Sequence, residues 1–467
     1  MKKDERDTIF EKRFSRRNFL VLAGASAAGL IIPPFKKSKG LFAFPTLSSS
    51  ASTTKVAATQ AFNYERAAVK QRVQHLFEAL GGIGDVLKPG DKAAIKINLT
   101  GGSSYDHEPR LNGVPLVECV WTHPEVLRAA GELILDSGVQ AKDLTIVEAI
   151  WDAGSYNNYG YQDVQKSLGC QLVNLNNKAP YSDFIDKPVG DNHYYYSSFK
   201  LNRILDEVNV FVSIPKMKQH LTAGITHSMK NLIGIVPLTF YGGGWRSQLH
   251  NDGGNDPSTH LPRSICDLNM TRPIHLAVID GIKNAEGGEL PTSVTFHPAE
   301  YHLLLAGKDP VALDSIAALQ MGNDPEAPKL QVPGDGLCEN YLYLAHQKGM
   351  GTNVLSEIEV VGDGAGSIKT AVEERRAVLP DRIRLSQNFP NPFNATTTIR
   401  YYLPRPARVT LKVIDPLGRE IETLVEGTVS PGEHQCLWNA EHLPSGVYYC
   451  RFQSEGCVET KKLLLQK

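Results

Sequence analysis

The chain has 467 residues, enough for two or three domains at roughly 150 residues each. Its 49 Lys and Arg nearly balance its 50 Asp and Glu, so no whole-chain field argues for nucleic acid or an acidic polymer as partner. The seven cysteines are scattered without a Cys-x-x-Cys pair, which argues against zinc, an iron-sulfur cluster or dithiol redox chemistry. They read as isolated small apolar side chains, although a Cys436 to Cys450 bridge is conceivable in an oxidising compartment.

At the N-terminus, basic residues precede Ser15-Arg16-Arg17-Asn18-Phe19-Leu20, and an Ala- and Gly-rich apolar run reaches Ile32 before Pro33-Pro34 closes it. The run is shorter than the roughly 20 residues that cross a bilayer as a helix, so it reads as an export signal. The paired arginines, the Phe-Leu that follows and the Lys36-Lys37-Ser38-Lys39 cluster resemble a twin-arginine signal, whose translocase carries proteins already folded. Residues 1–44 are assigned to this signal and 45–61 to a linker. The Ala43 region is a candidate cleavage point, and retention as an anchor stays open.

From 62 to 364, apolar runs of strand length alternate with amphipathic segments. Candidate strands are 92–99, 144–150, 171–175, 208–214, 275–280 and 301–306; candidate helices are 69–80, 124–137, 161–168 and 310–321. Thr122 and Glu125 are spaced as a capping box for the second helix, with Pro124 in its first turn and Gly138 just past its end. The alternation predicts an α/β domain, a mostly parallel sheet covered by helices.

In 92–99 the two-residue period puts Ile95, Ile97 and Leu99 on one face and Ala94, Lys96 and Asn98 on the other. A lysine on a buried face must meet a carboxylate or a bound anion, unless the strand is at an edge and Lys96 snorkels to water. After 208–214 come Lys216, Lys218, His220, Thr226, His227, Lys230 and Asn231. Polar side chains converging beyond the end of a buried strand are where open α/β sheets place ligands. A helix starting near 222–226 would align Ile225, Met229, Leu232 and Ile233 as its apolar stripe, with Thr226 beside Lys230 and His227 beside Asn231. Its N-terminus, with the lysines, would cradle an anion. A solvated basic loop is the plainer alternative.

Two more strands end in carboxylates. Asp309 stands before Pro310 as an N-cap should. Asp280 and Asp314 have no such structural reading and are tentative ligands for a divalent metal, or partners for the lysines.

The segments Lys96-Ile97-Asn98-Leu99, Pro215-Lys216-Met217-Lys218-Gln219-His220, Thr226-His227-Ser228-Met229-Lys230-Asn231-Leu232-Ile233-Gly234, Asp280-Gly281-Ile282 and Gly307-Lys308-Asp309-Pro310-Val311-Ala312-Leu313-Asp314 resemble, in order and spacing, the family catalogued as domain of unknown function 362. The resemblance implies an α/β fold and a site but no settled reaction. Some relatives carry a ferredoxin-like cysteine cluster, which this chain lacks, so an iron-sulfur cofactor is not expected. Walker A, Gly-x-Gly-x-x-Gly, His-Glu-x-x-His and Gly-x-Ser-x-Gly motifs are also absent from the sequence.

After a linker at 365–382, residues 383–467 change character. Short alternating runs at 397–403, 408–414, 435–438, 446–452 and 457–465 are separated by Pro-, Asn- and Gly-bearing turns, which predicts a small all-β sandwich. Leu385-Ser386-Gln387-Asn388-Phe389-Pro390-Asn391-Pro392-Phe393-Asn394, Asp415-Pro416-Leu417-Gly418-Arg419, Ser445-Gly446-Val447-Tyr448 and Lys461-Lys462-Leu463-Leu464-Leu465 resemble the type IX secretion (Por) C-terminal sorting domain. That resemblance implies an immunoglobulin-like build, the type IX machinery as partner, and passage through the periplasm to the cell surface or beyond.

The expected function is that of an exported protein with an anion-binding, metal-assisted active site. His220 and Lys230 are its catalytic candidates, and Lys96, Asn98, Lys216, Thr226 and Asn231 its ligand-binding candidates. The alternative is a non-catalytic binder using the same pocket.

Overall fold

The computed structural model describes residues 53–467 apart from 102–109, 112–113, 152, 244–245, 252–253, 292, 294, 335, 367, 369–382, 389, 404–405, 430–431 and 455–456. The twin-arginine signal expected at 1–44 lies outside the described residues, as does most of the linker expected at 365–382, whereas the linker expected at 45–61 holds Thr54–Gln60, which form a strand of the central sheet because they pair with residues far along the chain.

The central domain runs β1 (Thr54–Gln60), α1 (Arg66–Ala79), β2 (Ala93–Ile97), α2 (Pro124–Asp136), β3 (Leu144–Glu148), α3 (Tyr161–Leu168), β4 (Gln171–Asn174), β5 (Val210–Ile214), β6 (Lys216–His220), β7 (Gly224–Thr226), α4 (Pro257–Thr271), β8 (Leu276–Glu286), β9 (His297–Ala299), β10 (Leu303–Gly307), α5 (Pro310–Gln320), α6 (Tyr341–Gln347) and β11 (Ile358–Val361). The sheet has the order β11-β1-β10-β8-β5-β2-β3-β4. β10 runs against both its neighbours, and the other pairs on this path are parallel.

Both faces of the sheet are covered, and β2, β3 and β5 are buried at every position. The two-residue period divides their side chains between two cores. Ile95, Ile97 and Val212 pack with Val69, Val73 and Leu76 of α1 and Val126 and Leu127 of α2. Ala94, Phe211 and Ile279 pack with Leu261 and Ile265 of α4 and Val311 and Ile316 of α5.

Helix ends follow local chemistry. Asp309 caps α5, accepting from the Val311 and Ala312 amides at 2.8 and 3.0 Å. At α2 the expected capping box does not form. The cap is His123, whose Nδ1 accepts from the Glu125 amide at 3.1 Å, because the Thr122 hydroxyl is taken by the Asn98 amide and the Ile214 carbonyl.

The helix expected from 222–226 is replaced by a hairpin. β6 and β7 pair with Lys218 opposite Thr226 and His220 opposite Gly224, and Gly224 sits at φ 75°, where a side chain would be strained. The helical neighbours Thr226–Lys230 and His227–Asn231, and the apolar stripe, therefore do not arise on one helix. A short 3-10 turn, Lys230–Ile235, follows instead. It is set by Asp314, reaching from α5 to accept from the Ser228 and Met229 amides at 2.8 and 2.9 Å and from the Ser228 hydroxyl. β8 is long enough to pair first with β5 and then with β6, so β5, Pro215 and β6 form one run whose register shifts between Lys216 and Lys218.

The C-terminal domain packs two antiparallel sheets around one core. β12 (Arg384–Leu385), β13 (Thr396–Leu403) and β16 (Gly432–Asn439) form the sheet β12-β13-β16, while β14 (Ala407–Ile414), β15 (Glu420–Val429), β17 (Gly446–Ser454) and β18 (Cys457–Leu465) form β15-β14-β17-β18. Ile399, Tyr401 and Trp438 of the first sheet meet Val409, Leu411 and Phe452 of the second. β15 was missed in the sequence because Glu-Ile-Glu-Thr-Leu-Val-Glu-Gly-Thr-Val is a partly exposed edge strand with muted alternation. Cys436 and Cys450 are free thiols here.

Asp314→Ala should strand two buried amides and a hydroxyl and lower stability by about 2–4 kcal/mol in urea unfolding of the whole chain. A change within error would mean that the 228–229 bend is held by something else.

Candidate functional site

The chain leaves β2 towards β3 on one side, whereas it leaves β5 and β6 towards β8 on the other, and β2 and β5 are adjacent. Such a divergence opens a crevice at the carboxyl ends of the strands. A cavity of about 320 Å³ lies there, lined by side chains from the loop ends after β2, β3, β6 and β8 and by the 3-10 turn.

Its floor is a buried ion pair. Lys96 Nζ donates to Glu148 Oε2 at 2.8 Å, to the Ile97 carbonyl at 2.6 Å and to Asn231 Oδ1 at 3.3 Å. Burial lowers the pKa of Lys96 and raises that of Glu148, and each opposes the other's shift. Asn231 is oriented by its own amide, which donates to the Lys96 carbonyl at 3.2 Å and Ser213 Oγ at 3.1 Å. Its Oδ1 is therefore left to accept from both Lys96 and Asn98 Nδ2, the latter at 3.3 Å. Asn98 Oδ1, buried, has no partner among the described residues. Gly234 packs on the pair so closely that a Cβ there would lie 2.4 Å from Glu148 Oε1 and 2.6 Å from Lys96 Nζ.

Lys230, the first residue of the 3-10 turn, is 8% exposed and faces the cavity, with no hydrogen bond or ion pair recorded to any described residue. Burial brings its pKa down to about 8, with Glu289 opposing and Arg246 and Lys96 reinforcing the shift. Arg246 holds a left-handed backbone at φ 46° and donates to the Ala149 carbonyl at 2.8 Å, so its charge is fixed at the wall.

Two histidines stand side by side, ring centroids 6.1 Å apart. His220 Nδ1 accepts from the Thr222 and Ala223 amides at 3.1 and 3.2 Å, which places the ring proton on Nε2. That Nε2 is 3.8 Å from Glu289 Oε1, beyond hydrogen-bond reach, so its donor is uncommitted there. His250 Nδ1 lies 3.1 Å from the Arg246 carbonyl, which places its proton on Nδ1 and leaves a lone pair on Nε2. Burial and Lys230 hold His250 down to about 4 and His220 well below its ordinary value, so both rings are neutral at pH 7.

Of the residues singled out in the sequence, Lys96, Asn98, His220, Lys230 and Asn231 are brought together at the cavity. The others are elsewhere. Lys216 and Asp280 form a fully buried ion pair at 2.9 Å, shared with the Tyr64 hydroxyl at 2.7 and 2.9 Å. Asp314 is spent on the 228–229 bend, and the Thr226 hydroxyl is buried without a partner among the described residues. Neither aspartate lines the cavity, and among the described residues no three His, Cys, Asp or Glu side chains group as metal ligands. Lys218 is fully buried on the Val120 carbonyl at 2.8 Å, with burial and Lys230 lowering its pKa to about 7. Sequence reasoning missed Arg246 and His250, whose region offers only a glycine run as a signal, and gave Glu289 no role.

An α/β domain with a cationic crevice at its switch point, followed by a β-sandwich, is the class these observations define. Residues 94–319 match the model of the Domain of unknown function (DUF362) family, and residues 387–466 match that of the Secretion system C-terminal sorting domain. The chain thus carries a DUF362 domain followed by a C-terminal sorting domain. The tail indicates export to the cell surface or extracellular space and engagement with the type IX secretion machinery. Among the described residues no helix is long and apolar enough to cross a membrane.

The thylakoid-associated protein sll1697 of Synechocystis sp. is 27% identical over 264 residues, covering 56% of this chain and 73% of that protein. Among solved structures, the lactate racemase apoprotein from Thermoanaerobacterium thermosaccharolyticum aligns at 13% identity and a TM-score of 0.29, covering 55% of this chain and 56% of its own. The endo-beta-1,4-mannanase from Thermotoga petrophila aligns at 10% identity and a TM-score of 0.21, covering 90% and 98%. At these TM-scores neither structure defines the fold of this chain.

Lys96→Met should leave the Glu148 carboxylate buried and uncompensated, costing about 3–5 kcal/mol of stability. Adding Glu148→Gln should recover most of that loss in a double-mutant cycle read by urea unfolding. Additive losses would contradict a coupled pair.

Proposed function

We propose that the chain is an exported protein whose central domain binds a small anion in the cavity beyond β2 and β6, in an active site built for proton transfer. The observation that carries the reading is Lys230, a buried ammonium facing the cavity that makes no hydrogen bond or close ion pair with any described residue, Glu289 acting on it only at longer range. A buried cation without a partner is unfavourable unless a ligand supplies the opposite charge. Lys96 and Glu148 cancel, so among the described lining residues Lys230 and Arg246 stand against Glu289 alone, and the balance suits a monoanion.

The chemistry of the walls supports catalysis over simple capture. His220 offers an Nε2 proton as donor, and the base beside the anion is the neutral His250, with its lone pair on Nε2. Lys96 and Asn231 act behind them, holding Asn98 in place. Asp280 and Asp314 take no part in this reading, and no step is assigned to a metal through them. The twin-arginine signal would deliver the domain already folded, with its buried ion pairs assembled before export, and the sorting tail would carry it across the outer membrane.

Isothermal titration of the full-length protein with butanoate, acetate and inorganic phosphate tests the reading. At least one monoanion should bind, and Lys230→Met should weaken it by about 10- to 100-fold while the melting temperature stays within a few degrees. Binding that survives the substitution intact would place the anion elsewhere.

The pH dependence follows from the ammonium being the binding form. Affinity should be full below about 8, where Lys230 is protonated, and should fall as pH rises through that value. Because a bound anion raises the pKa of Lys230, the break for the complex should come at higher pH than for the free protein. A flat profile from pH 7 to 10 would contradict the assignment.

A further inference from the structure

The cavity has an unmatched acceptor as well as an unmatched cation. Asn98 is 6% exposed and lines the cavity, and its Oδ1 is the end that lacks a partner. The orientation of that amide is fixed by its neighbours. Asn231 Nδ2 is committed to the Lys96 carbonyl and Ser213 Oγ, so Asn231 presents only an acceptor to Asn98, and Asn98 must turn its Nδ2 towards it. The Asn98 oxygen is thereby left over by the polar network on the cavity floor.

A simple anion answers Lys230 and the His220 Nε2–H but offers Asn98 Oδ1 no donor. Leaving a buried acceptor unmatched costs about 1–3 kcal/mol, and a site that presents one discriminates strongly for ligands that fill it. The His250 Nε2 lone pair is a second acceptor in the same cavity. The geometry points to a ligand class: a small monocarboxylate that also carries a hydrogen-bond donor, a hydroxyl, close to its anionic group. Lys230 and His220 take the carboxylate, and Asn98 Oδ1 takes the hydroxyl proton. This rests on the anion-binding reading above and narrows it.

The test uses the full-length protein and four C4 acids of nearly equal size: butanoate, 2-oxobutanoate, 2-hydroxybutanoate and 3-hydroxybutanoate, each titrated calorimetrically at pH 7. At least one hydroxy acid should bind about tenfold or more tightly than both butanoate and 2-oxobutanoate, which share its charge but lack the donor. In Asn98→Leu, the ratio between that hydroxy acid and butanoate should collapse towards one. Should that variant fail to fold, the comparison within the wild-type series decides alone. Equal affinity for all four acids overturns the hydroxyl preference and leaves the anion site standing. Binding of none of the four overturns the ligand class, and the anion site falls with it when acetate and inorganic phosphate also fail to bind. A preference that persists in a folded Asn98→Leu removes Asn98 as its source.

Discussion

The structure of the site depends on one interaction, the buried ion pair between Lys96 and Glu148. It joins the ends of two adjacent parallel strands, β2 and β3, at the point where the connections diverge and a crevice must open. Two charges this deep are tolerated because each also has hydrogen bonds to backbone or amide groups, and because Gly234 has no side chain to hold the 3-10 turn away from them. From the pair, order propagates outward. Lys96 and its carbonyl fix the Asn231 amide, Asn231 fixes Asn98, and the turn that carries Asn231 also carries Lys230.

Seen this way, the domain handles its buried lysines in different ways. Lys96 and Lys216 are neutralised by Glu148 and Asp280, and Lys218 rests on a peptide carbonyl. Lys230 alone among these four both faces the cavity and lacks a hydrogen-bond or ion-pair partner among the described residues. In the proposed reading, the opposite charge for Lys230 comes from a bound anion. Burial first, then the Lys230 charge, with Lys218 adding at His220 and Arg246 at His250, keeps both rings neutral and so keeps one as a donor and the other as an acceptor.

The parallel sheet was legible because buried strands and amphipathic helices alternate with different periods, and because Asp309-Pro310 marks a helix start without ambiguity. The two-residue period placed Lys96 and Asn98 on one face of β2 but left Lys96 either paired or snorkelling from an edge strand; the central position of β2 in the sheet removes the second alternative. The stretch after β6 was misjudged in form: its spacing of Ile225, Met229 and Leu232 suits a helix, but Gly224 in the left-handed region and the remote carboxylate of Asp314 impose a hairpin and a bend. No local signal could show that Asp314, far along the chain, caps that bend; of the two roles the sequence left open for Asp280, metal ligand or partner for a lysine, the structure has the second, with Lys216. Arg246 and His250 reach the cavity through tertiary packing of an irregular segment, where periodicity carries no information.

The central claim is that Lys230 holds an anion in the crevice. Anomalous diffraction from crystals of the full-length protein soaked in bromide addresses it without assuming a substrate. The account predicts a bromide peak in contact with Lys230 Nζ, absent in Lys230→Met crystals of the same form. A cavity free of bromide while the ion occupies surface lysines, or a peak that persists in the variant, would contradict it.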